Sequence, residues 1–526
     1  MRNPLRYRLW WTTRQKILTS VVVGALLVTA GWYGVDRLTT PEDRSCAAGV
    51  ARPEGSDECI GVSGTGYDFG RSQLTAVAAA IGRENKSLKA DSYVTVALLL
   101  PLTSTESSMR TKVLHELQGA YAAQYAANHD ANGKVPHIRV VLANTGTNSV
   151  RWQPVVDRLK KMTDAPDRLR AVSGVAISST HTKEAVKALT GAGIPVVGST
   201  ITADDIANGP GPDDNPFPGL ARVSPTNNDE ARALTSIGGV RADKALLVQD
   251  TRKGDHYTDT LKSAFNTLLE GSRYEPQLFT SREDPNDEGF TANTFEQITH
   301  LICDTDAETV YFAGRHVQLR QFINALGARG CQNRAFLVLT GDEGSYLGSD
   351  KKLDRDALRR KVTVRYAALA HPDTWPATAA ATKKEKGGEL TGGSEKDYQA
   401  FTDLLARLEK KPAGPIGPTA KDDLTDGQVI IAHDAMTLAV AAVRRATDGK
   451  QLPALEEVGT QWPLTKGSQQ RVNGASGWIC LDNHGNPHNK AVPLVELAAD
   501  PPHQRFAALA WPEGKPPEST CLTPSS

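Results

Sequence analysis

The possible folds of this 526-residue chain are limited most by one stretch, residues 171–206. It begins with the apolar run AVSGVAI, continues as a helical pattern with apolar residues on one face, and reaches a second apolar run, IPVVGS, at residues 194–199. Two buried strands joined by one helix predict a right-handed parallel crossover. We therefore expect an α/β fold built on parallel sheets.

Three hydroxyl residues, Ser178, Ser179 and Thr180, lie between the first of these strands and the helix. Open α/β sheets bind ligands at the carboxyl ends of their strands. The first turn of a helix adds unpaired amides and a partial positive charge, which favour a carboxylate or phosphate. The pattern predicts a ligand site here, and the alternative is that one hydroxyl only caps the helix.

The alternation of strands and helices continues on both sides of this stretch. It opens with the run YVTVALLLPL at residues 93–102, which is apolar enough to be buried on both faces, as parallel strands are. A cluster of Pro, Gly and Asp at residues 208–219 precedes a second set of apolar strands, near residues 244–250, 309–314 and 335–342. Two α/β lobes are therefore predicted.

The N-terminus has the pattern of a membrane anchor. Residues 17–35 carry no charge and would span about 28 Å as a helix, close to the ~30 Å hydrocarbon core. The first sixteen residues contain basic residues and no acid, which favours a cytoplasmic N-terminus and a single-pass protein of the cell membrane. The alternative is a signal peptide cleaved after residues 28–30 (Val-Thr-Ala).

Charge balance and missing motifs exclude several classes of function. Lys plus Arg equals Asp plus Glu, 60 against 60, so the chain lacks the basic field typical of nucleic-acid-binding proteins. The pair His115-Glu116 begins like a zinc protease motif, but Gly119 stands where the second histidine belongs. No nucleophile elbow or phosphate-binding loop occurs. We expect no enzyme and no cofactor.

Six cysteines agree with an extracytoplasmic location, because they are even in number and absent from the apolar segment. Nearest-neighbour pairing is favoured, and other pairings remain open; the favoured pairs are Cys46–Cys59, Cys303–Cys331 and Cys480–Cys521. Cys480 could instead join His484 and His488 at a metal, but turn residues between them do not align the three side chains. We expect no metal site.

Several segments together resemble a known family, the type 1 periplasmic binding proteins of the leucine/isoleucine/valine-binding kind, which are substrate-binding subunits of ABC importers. The matching segments occur in the family's order across residues 91–500 and are VTVALLLPL, SGVAISSTHTKEA, GIPVVGSTIT, FPGLARVSPTNNDEA, HYTDTLKSAF, ETVYFAG, VLTGDEG, VIIAHDAMTLAVAAVRRA and ASGWICLDNHGNP. The resemblance implies two doubly wound parallel-sheet lobes joined by three hinge strands, which close over a small ligand.

The expected organisation follows from the resemblance and from the N-terminal pattern. In chain order it comprises a cytoplasmic tail (1–16), a transmembrane anchor (17–35), a disulfide-closed extracytoplasmic stalk (36–90), the first part of lobe 1 (91–222), the main part of lobe 2 (223–350), a return to lobe 1 (351–475) with an exposed insertion near 377–420, and a C-terminal segment on lobe 2 (476–526).

The resemblance also implies which residues hold the ligand. In the family, hydroxyls and amides at the Ser-Ser-Thr turn and at the next strand's end hold an amino acid's carboxylate; the corresponding residues here are Ser178, Ser179, Thr180, Thr200, Ile201 and Thr202. The family's cleft tyrosine matches Tyr257, whose alternative role is packing at the start of its helix. The acidic residue that holds the ammonium matches Asp342 or Glu343.

Arg315 and His316 follow the segment TVYFAG and are further candidates. If both point into the cleft, they suit a second anionic group better than a branched aliphatic side chain. The alternative is that Arg315 is solvated or paired at the surface.

The expected function is a membrane-anchored extracytoplasmic solute-binding protein that captures a small polar ligand, an amino acid or a related compound, for an ABC permease. The alternative is a ligand sensor or protein-interaction module with the same fold and no role in transport. The short cytoplasmic tail would then require a signalling partner.

Overall fold

The structure is a computed structural model that describes most of the chain. The described residues are 12–39, 44–130, 135–209, 211, 214–236, 240–282, 288–384, 390–410, 415–449 and 451–522, and the side chains of residues 30–39 are not described. Most of the predicted cytoplasmic tail therefore lies outside the described residues.

The chain divides into two compact units, residues 1–46 and residues 47–526. The first unit contains helix α1 (Thr13–Thr39), and the short strand β1 (Ser45–Ala47) crosses the boundary. The predicted anchor, residues 17–35, falls within α1, but its side chains from residue 30 onward are not described. Within the described part of the chain, no helix has the length and hydropathy of a membrane span, so the anchor stays a prediction.

The second unit begins with the sheet of lobe 1. Its further strands are β2 (Val50–Ala51), β3 (Ile60–Ser63), β4 (Tyr93–Leu100), β5 (His137–Asn144), β6 (Leu169–Gly174), β7 (Val196–Gly198) and β8 (Leu220–Arg222). The order in this sheet is β1-β2-β3-β5-β4-β6-β7-β8. Strands β4 to β8 run parallel and are almost entirely buried, as the apolar pattern predicts.

Lobe 1 has four helices that lie between its strands along the chain. After β8 the chain crosses to lobe 2. The helices of lobe 1 are α2 (Thr75–Ser87), α3 (Ser107–His129), α4 (Trp152–Lys160) and α5 (Thr180–Thr190). Lobe 2 adds α6 (Asn227–Thr235), β9 (Ala245–Asp250), α7 (His256–Leu268), β10 (Gln277–Phe279), α8 (Gly289–Cys303), β11 (Thr309–Ala313), α9 (His316–Gly327), β12 (Phe336–Thr340), α10 (Arg355–Arg359) and β13 (Val362–Ala367).

After β13 the chain returns to lobe 1 and then completes lobe 2. The remaining elements are α11 (Thr374–Lys384), α12 (Glu395–Glu409), α13 (Gln428–Arg445), α14 (Leu455–Gly459), α15 (Gly467–Gln470), β14 (Val472–Gly474), β15 (Gly477–Ile479), β16 (Val492–Leu497) and β17 (Gln504–Ala510). The second sheet has the order β10-β9-β11-β12-β13-β16-β17; the pairs β13/β16 and β16/β17 are antiparallel, and the pairs from β10 to β13 are parallel. The chain thus crosses three times between the lobes.

Each lobe has its own apolar core. In lobe 2, one face of the sheet packs around the aromatic rings of Phe279, Phe295, Phe312 and Phe322. In lobe 1, α13 lies against α3 at Gly119, where a Cβ atom would be 2.2 Å from the carbonyl oxygen of Val429. Only glycine permits this close approach of the two helix backbones.

Three parts of the expected organisation differ in the structure. Residues 50–87, predicted as a stalk, belong to lobe 1, because Ile60 and Val62 are buried and β3 pairs antiparallel with β5. Strand β13 belongs to lobe 2, so the return to lobe 1 begins later than residue 351. The predicted exposed insertion contains α12, which buries Phe401 and Leu405; residues 385–389 and 411–414 of that insertion lie outside the described residues.

The predicted disulfides Cys303–Cys331 and Cys480–Cys521 are both present. Cys46 and Cys59 are also disulfide-bonded, and no described cysteine is free. Because Cys480 is bonded to Cys521, it is not available as a thiolate ligand beside His484 and His488.

Candidate functional site

The two lobes meet at the carboxyl ends of their parallel strands. From lobe 1, the turns after β6 and β7 reach this cleft, and from lobe 2 the turns after β9, β11 and β12 do. Both sets of turns carry residues that the sequence predicts as ligand contacts.

The Ser-Ser-Thr turn of lobe 1 faces lobe 2. The carbonyl oxygen of Ser178 accepts hydrogen bonds from the Tyr257 amide at 3.3 Å and from Arg315 Nη2 at 3.4 Å. Thr180 Oγ1 donates to the Gly254 carbonyl oxygen at 3.2 Å. Ser179 is the N-cap of α5, and its Oγ accepts from the Thr182 amide at 3.3 Å. The turn therefore both caps the helix and contacts the opposite lobe.

The second group of predicted residues, at the end of β7, is buried beside helix α3. Thr200 Oγ1 donates to the Ala176 carbonyl oxygen at 3.1 Å and to Glu116 Oε1 at 3.4 Å. The Thr202 carbonyl oxygen accepts from an amide of lobe 2, that of Asn227, at 2.8 Å. Ile201 is fully buried in the core of lobe 1. The structure thus brings the backbone of Thr202 to the lobe boundary, whereas the side chains of Thr200 and Ile201 contact lobe 1.

A buried ion pair that sequence reasoning missed lies next to these hydroxyls. Glu116 of α3 accepts the Ser199 hydroxyl at 2.8 Å and lies 3.8 Å from Lys112 Nζ. Burial raises the pKa of Glu116 above its usual value, although Lys112 and the hydroxyls of Ser199 and Thr200 oppose the shift. The only sequence signal was the spacing of four residues between Lys112 and Glu116, which also describes an ordinary solvated helix pair.

Arg315 is the centre of the charged groups of lobe 2. Its guanidinium donates to both carboxylate oxygens of Asp255, at 2.8 and 2.6 Å, and to Glu343 Oε1 at 2.7 Å. It also lies over the Tyr257 ring, 4.7 Å from the centroid. Burial alone would lower the pKa of Arg315, but the carboxylates of Asp255 and Glu343 raise it well above its usual value. Arg315 is therefore paired inside the cleft rather than solvated.

His316 links the lobes. Its Nδ1 lies 2.6 Å from Glu343 Oε2, and its Nε2 lies 2.7 Å from the Ser108 hydroxyl in the first turn of α3. Burial lowers the pKa of His316, but Glu343 and Glu106 outweigh burial and raise the pKa to about 9. His316 is therefore protonated at neutral pH and holds a charge-assisted contact across the cleft.

Two buried acids below Tyr257 lack a complete set of hydrogen bonds. Glu230 Oε2 accepts the Asp342 amide at 3.1 Å, while Glu230 Oε1 and Asp342 Oδ1 have no partner. Burial and the neighbouring Glu343 raise the pKa of Asp342 to about 7, and burial and Asp342 raise that of Glu230 well above its usual value. Burial thus favours the protonated form of both carboxyl groups.

Hydrogen-bond donors and acceptors of both lobes converge at the cleft. Hydroxyls and carbonyls of lobe 1 face a guanidinium, an imidazolium, a phenol and carboxylates of lobe 2. Within the described ranges, no three His, Cys, Asp or Glu side chains are placed to hold a metal ion. Asp255, which completes the Arg315 contact, was not predicted; its signal is its position as the N-cap of α7, directly before His256 and Tyr257.

Comparison with known proteins identifies solved structures with a similar fold. No protein-family model and no curated protein matches the chain. Among solved structures, LivJ from Streptococcus pneumoniae, a branched-chain amino acid transporter substrate-binding protein in complex with isoleucine, matches 80% of this chain and 99% of its own, with 13% identity and a TM-score of 0.55. The chain has the fold of a type 1 periplasmic binding protein.

Other structures with this fold match over a similar extent. The leucine-binding protein LivK from Thermotoga maritima covers 80% of this chain and 99% of its own, with 15% identity and a TM-score of 0.54. A solute-binding protein of an ABC transporter from R. palustris, in complex with 4-hydroxybenzoate, covers 80% and 96%, with 13% identity and a TM-score of 0.51. The expected fold is confirmed, whereas the predicted ligand contacts stay predictions.

Proposed function

We propose that the chain is an extracytoplasmic solute-binding protein that captures a small polar ligand by closure of its two lobes. In this proposal the N-terminal helix anchors it in the cell membrane, with the N-terminus in the cytoplasm, and the closed form presents the ligand to an ABC permease. The observation that carries the proposal is the cleft itself, in which polar turns at the carboxyl ends of both sheets contact each other directly.

The hydrogen-bond and ion-pair partners of the cleft residues indicate which charge of a ligand each lobe can bind. In lobe 1, the hydroxyls of Ser199 and Thr200 bind a carboxylate, that of Glu116. In lobe 2, Asp255 and Glu343 bind a cation, that of Arg315. A ligand that carries a carboxylate and an ammonium group can make the same two kinds of contact when these side chains move aside. This supports an amino acid or a related compound.

Ligands of the solved structures with this fold are compatible with that class. LivJ is in complex with isoleucine and the R. palustris protein with 4-hydroxybenzoate, both of which carry a carboxylate. A micromolar Kd corresponds to about −8 kcal/mol, which a few charge-assisted hydrogen bonds in a closed cleft can supply.

Titration calorimetry of the full chain in detergent tests the proposal against a panel of amino acids, their amides and small carboxylates. We expect at least one compound to bind, and Tyr257→Phe to weaken it, whereas Thr402→Ala on α12 leaves its affinity unchanged. An absence of binding across the panel, or equal affinities for Tyr257→Phe and wild type, would contradict the proposal.

One observation favours the second candidate function, a sensor or protein-interaction module without transport. The charged groups at the cleft have partners within the protein, and the Ser108–His316 contact joins the lobes through the protein's own side chains. If the panel gives no binding and small-angle scattering shows one compact form in solution, this second function replaces the first. A permease and an ATPase encoded beside the gene would favour transport.

A further inference from the structure

A cavity of about 290 Å³ opens between the lobes beside the predicted cleft. Its lobe 1 wall includes His115 of α3 and the acidic turn that precedes α13, and its lobe 2 wall includes Ser345, Ser349 and residues 501–504. None of these residues belongs to the predicted ligand site. The volume lies at the lower end of the ~300–1,000 Å³ range of small-molecule sites.

The acidic turn gives this cavity a negative charge. Asp422, Asp423 and Asp426 all line it, and no Lys or Arg does. His115 Nδ1 lies 2.6 Å from Asp426 Oδ2, so this histidine pairs with Asp426. No described cation pairs with Asp422 or Asp423; the neighbouring Lys421 reaches Asp373 instead, at 2.5 Å. Asp423 also acts on the pKa of His115 and accepts the Ala420 amide at 3.0 Å, so three carboxylates face one histidine and the cavity keeps an excess of negative charge.

A second observation, independent of the acids, indicates an unfilled hydrogen-bonding position. Ser345 lines the cavity from lobe 2 and is 3% exposed, yet its hydroxyl has no hydrogen-bond partner. A buried hydroxyl without a partner costs about 1–3 kcal/mol, so a polar guest that reaches it is favoured. Pro501 and Pro502 supply apolar surface on the same wall.

We infer that this cavity is a second ligand site, for a small organic cation such as a diamine. Asp422 and Asp423 provide the counter-charge from lobe 1, Ser345 provides a hydrogen-bonding group from lobe 2, and the prolines contact the carbon chain. Because the walls come from both lobes, a bound cation contacts both at once and favours the closed arrangement. The inference goes beyond the proposed function, since it concerns another site and another ligand class.

Titration calorimetry of the full chain in detergent with putrescine as the probe tests this site. We expect putrescine to bind, and the double variant D422N/D423N to bind it at least tenfold more weakly. Asp157→Asn, which removes a carboxylate that is 67% exposed on α4, is the matched control and keeps the wild-type affinity. Affinity also falls as salt is raised, because screening acts on exposed charges.

A second variant, Ser349→Trp, fills the cavity without changing its charge and is expected to abolish putrescine binding. Failure of the wild type to bind putrescine, binding of Mg²⁺ in its place, or wild-type affinity in D422N/D423N would overturn the inference. The outcome is separable from that of the proposed function, because D422N/D423N leaves the amino-acid contacts of the main cleft unchanged.

Discussion

Arg315 neutralises two carboxylates that are almost completely withdrawn from water. The side chains of Asp255 and Glu343 are 2% and 7% exposed, and each bonds to the guanidinium at 2.8 Å or less. Such a group is costly to remove, because the carboxylates left behind remain buried without a counter-charge.

We therefore predict that Arg315→Ala lowers the free energy of unfolding by about 3–5 kcal/mol. Urea unfolding followed by circular dichroism measures this change. Arg407→Ala is the control, because Arg407 pairs with Asp130 at the surface and its loss costs about 0–1 kcal/mol. A loss of less than 1 kcal/mol for Arg315→Ala would show that the two acids find other partners or protons.

Ser179 has a structural role that can be separated from ligand binding. Its hydroxyl oxygen caps α5, so Ser179→Ala should lower the free energy of unfolding by about 1 kcal/mol, whereas Ser179→Asp retains a capping oxygen and most of the stability. Chemical denaturation of both variants measures the difference. Equal losses for the two variants would contradict the capping role.

At the scale of elements, the contact between α3 and α13 sets the shape of lobe 1. Helix α3 contributes Lys112, His115 and Glu116 to the cleft and to the cavity, and α13 follows the acidic turn. The two helices approach closely only because position 119 has no side chain. Any shift of α3 away from α13 would therefore move residues of both sites.

We predict that Gly119→Ala destabilises the protein by about 1–3 kcal/mol, although alanine has the higher helix propensity. The reason is the 2.2 Å distance between the new Cβ atom and the Val429 carbonyl oxygen. Thermal unfolding measures the effect. Gly289→Ala in α8 is the control, because nothing lies within 4 Å of its Cβ position and no loss is expected there. Equal stability of the two variants would contradict the close contact.

At the scale of the whole molecule, the raised pKa of His316 links folding stability to pH. Its pKa is raised from 6.5 to about 9 by Glu343 and Glu106, against the effect of burial. A group whose pKa is raised in the folded state contributes stability fully below its unfolded pKa and loses it as the pH rises through the folded pKa. The contribution of His316 is therefore lost between about pH 6.5 and pH 9.

We predict that wild-type stability decreases across this window relative to His316→Gln, by up to about 3 kcal/mol. The midpoints of urea unfolding at several pH values measure this decrease. The relevant quantity is the difference in stability between wild type and His316→Gln at each pH. Lys490, whose pKa is lowered by burial to about 8, titrates in the opposite sense in both proteins and cancels in the difference. Parallel pH profiles would contradict the role of His316.

The sequence predicted the strands, turns and disulfides that depend on residues close together in the chain. Buried strands such as β4 and β6 have apolar runs, and the Ser-Ser-Thr turn follows from its place after β6, so the two-lobed fold was expected. One of the three hydroxyls of that turn was expected as a possible cap, and Ser179 has this role. The disulfides of lobe 2 and of the C-terminal segment followed from neighbouring cysteines.

The remaining features depend on contacts that no local pattern contains. Glu116 meets the hydroxyls of Ser199 and Thr200, which follow β7, across 83 and 84 residues of sequence, and Asp255 meets Arg315 across 60. Strands β2 and β3 are two and four residues long, which is too short to give a clear apolar pattern. Residues 36–90 were therefore predicted as a stalk. The acidic cavity combines segments more than 300 residues apart, His115 and Asp426.

The last two strands of the second sheet, β16 and β17, follow the whole return of the chain through lobe 1. Until β16 is available, β13 is an open edge whose backbone groups can pair with another chain. Lobe 2 therefore starts before lobe 1 is finished but is completed only after it. A nearly complete second lobe must wait, with that edge unpaired, until the C-terminal residues have been synthesised.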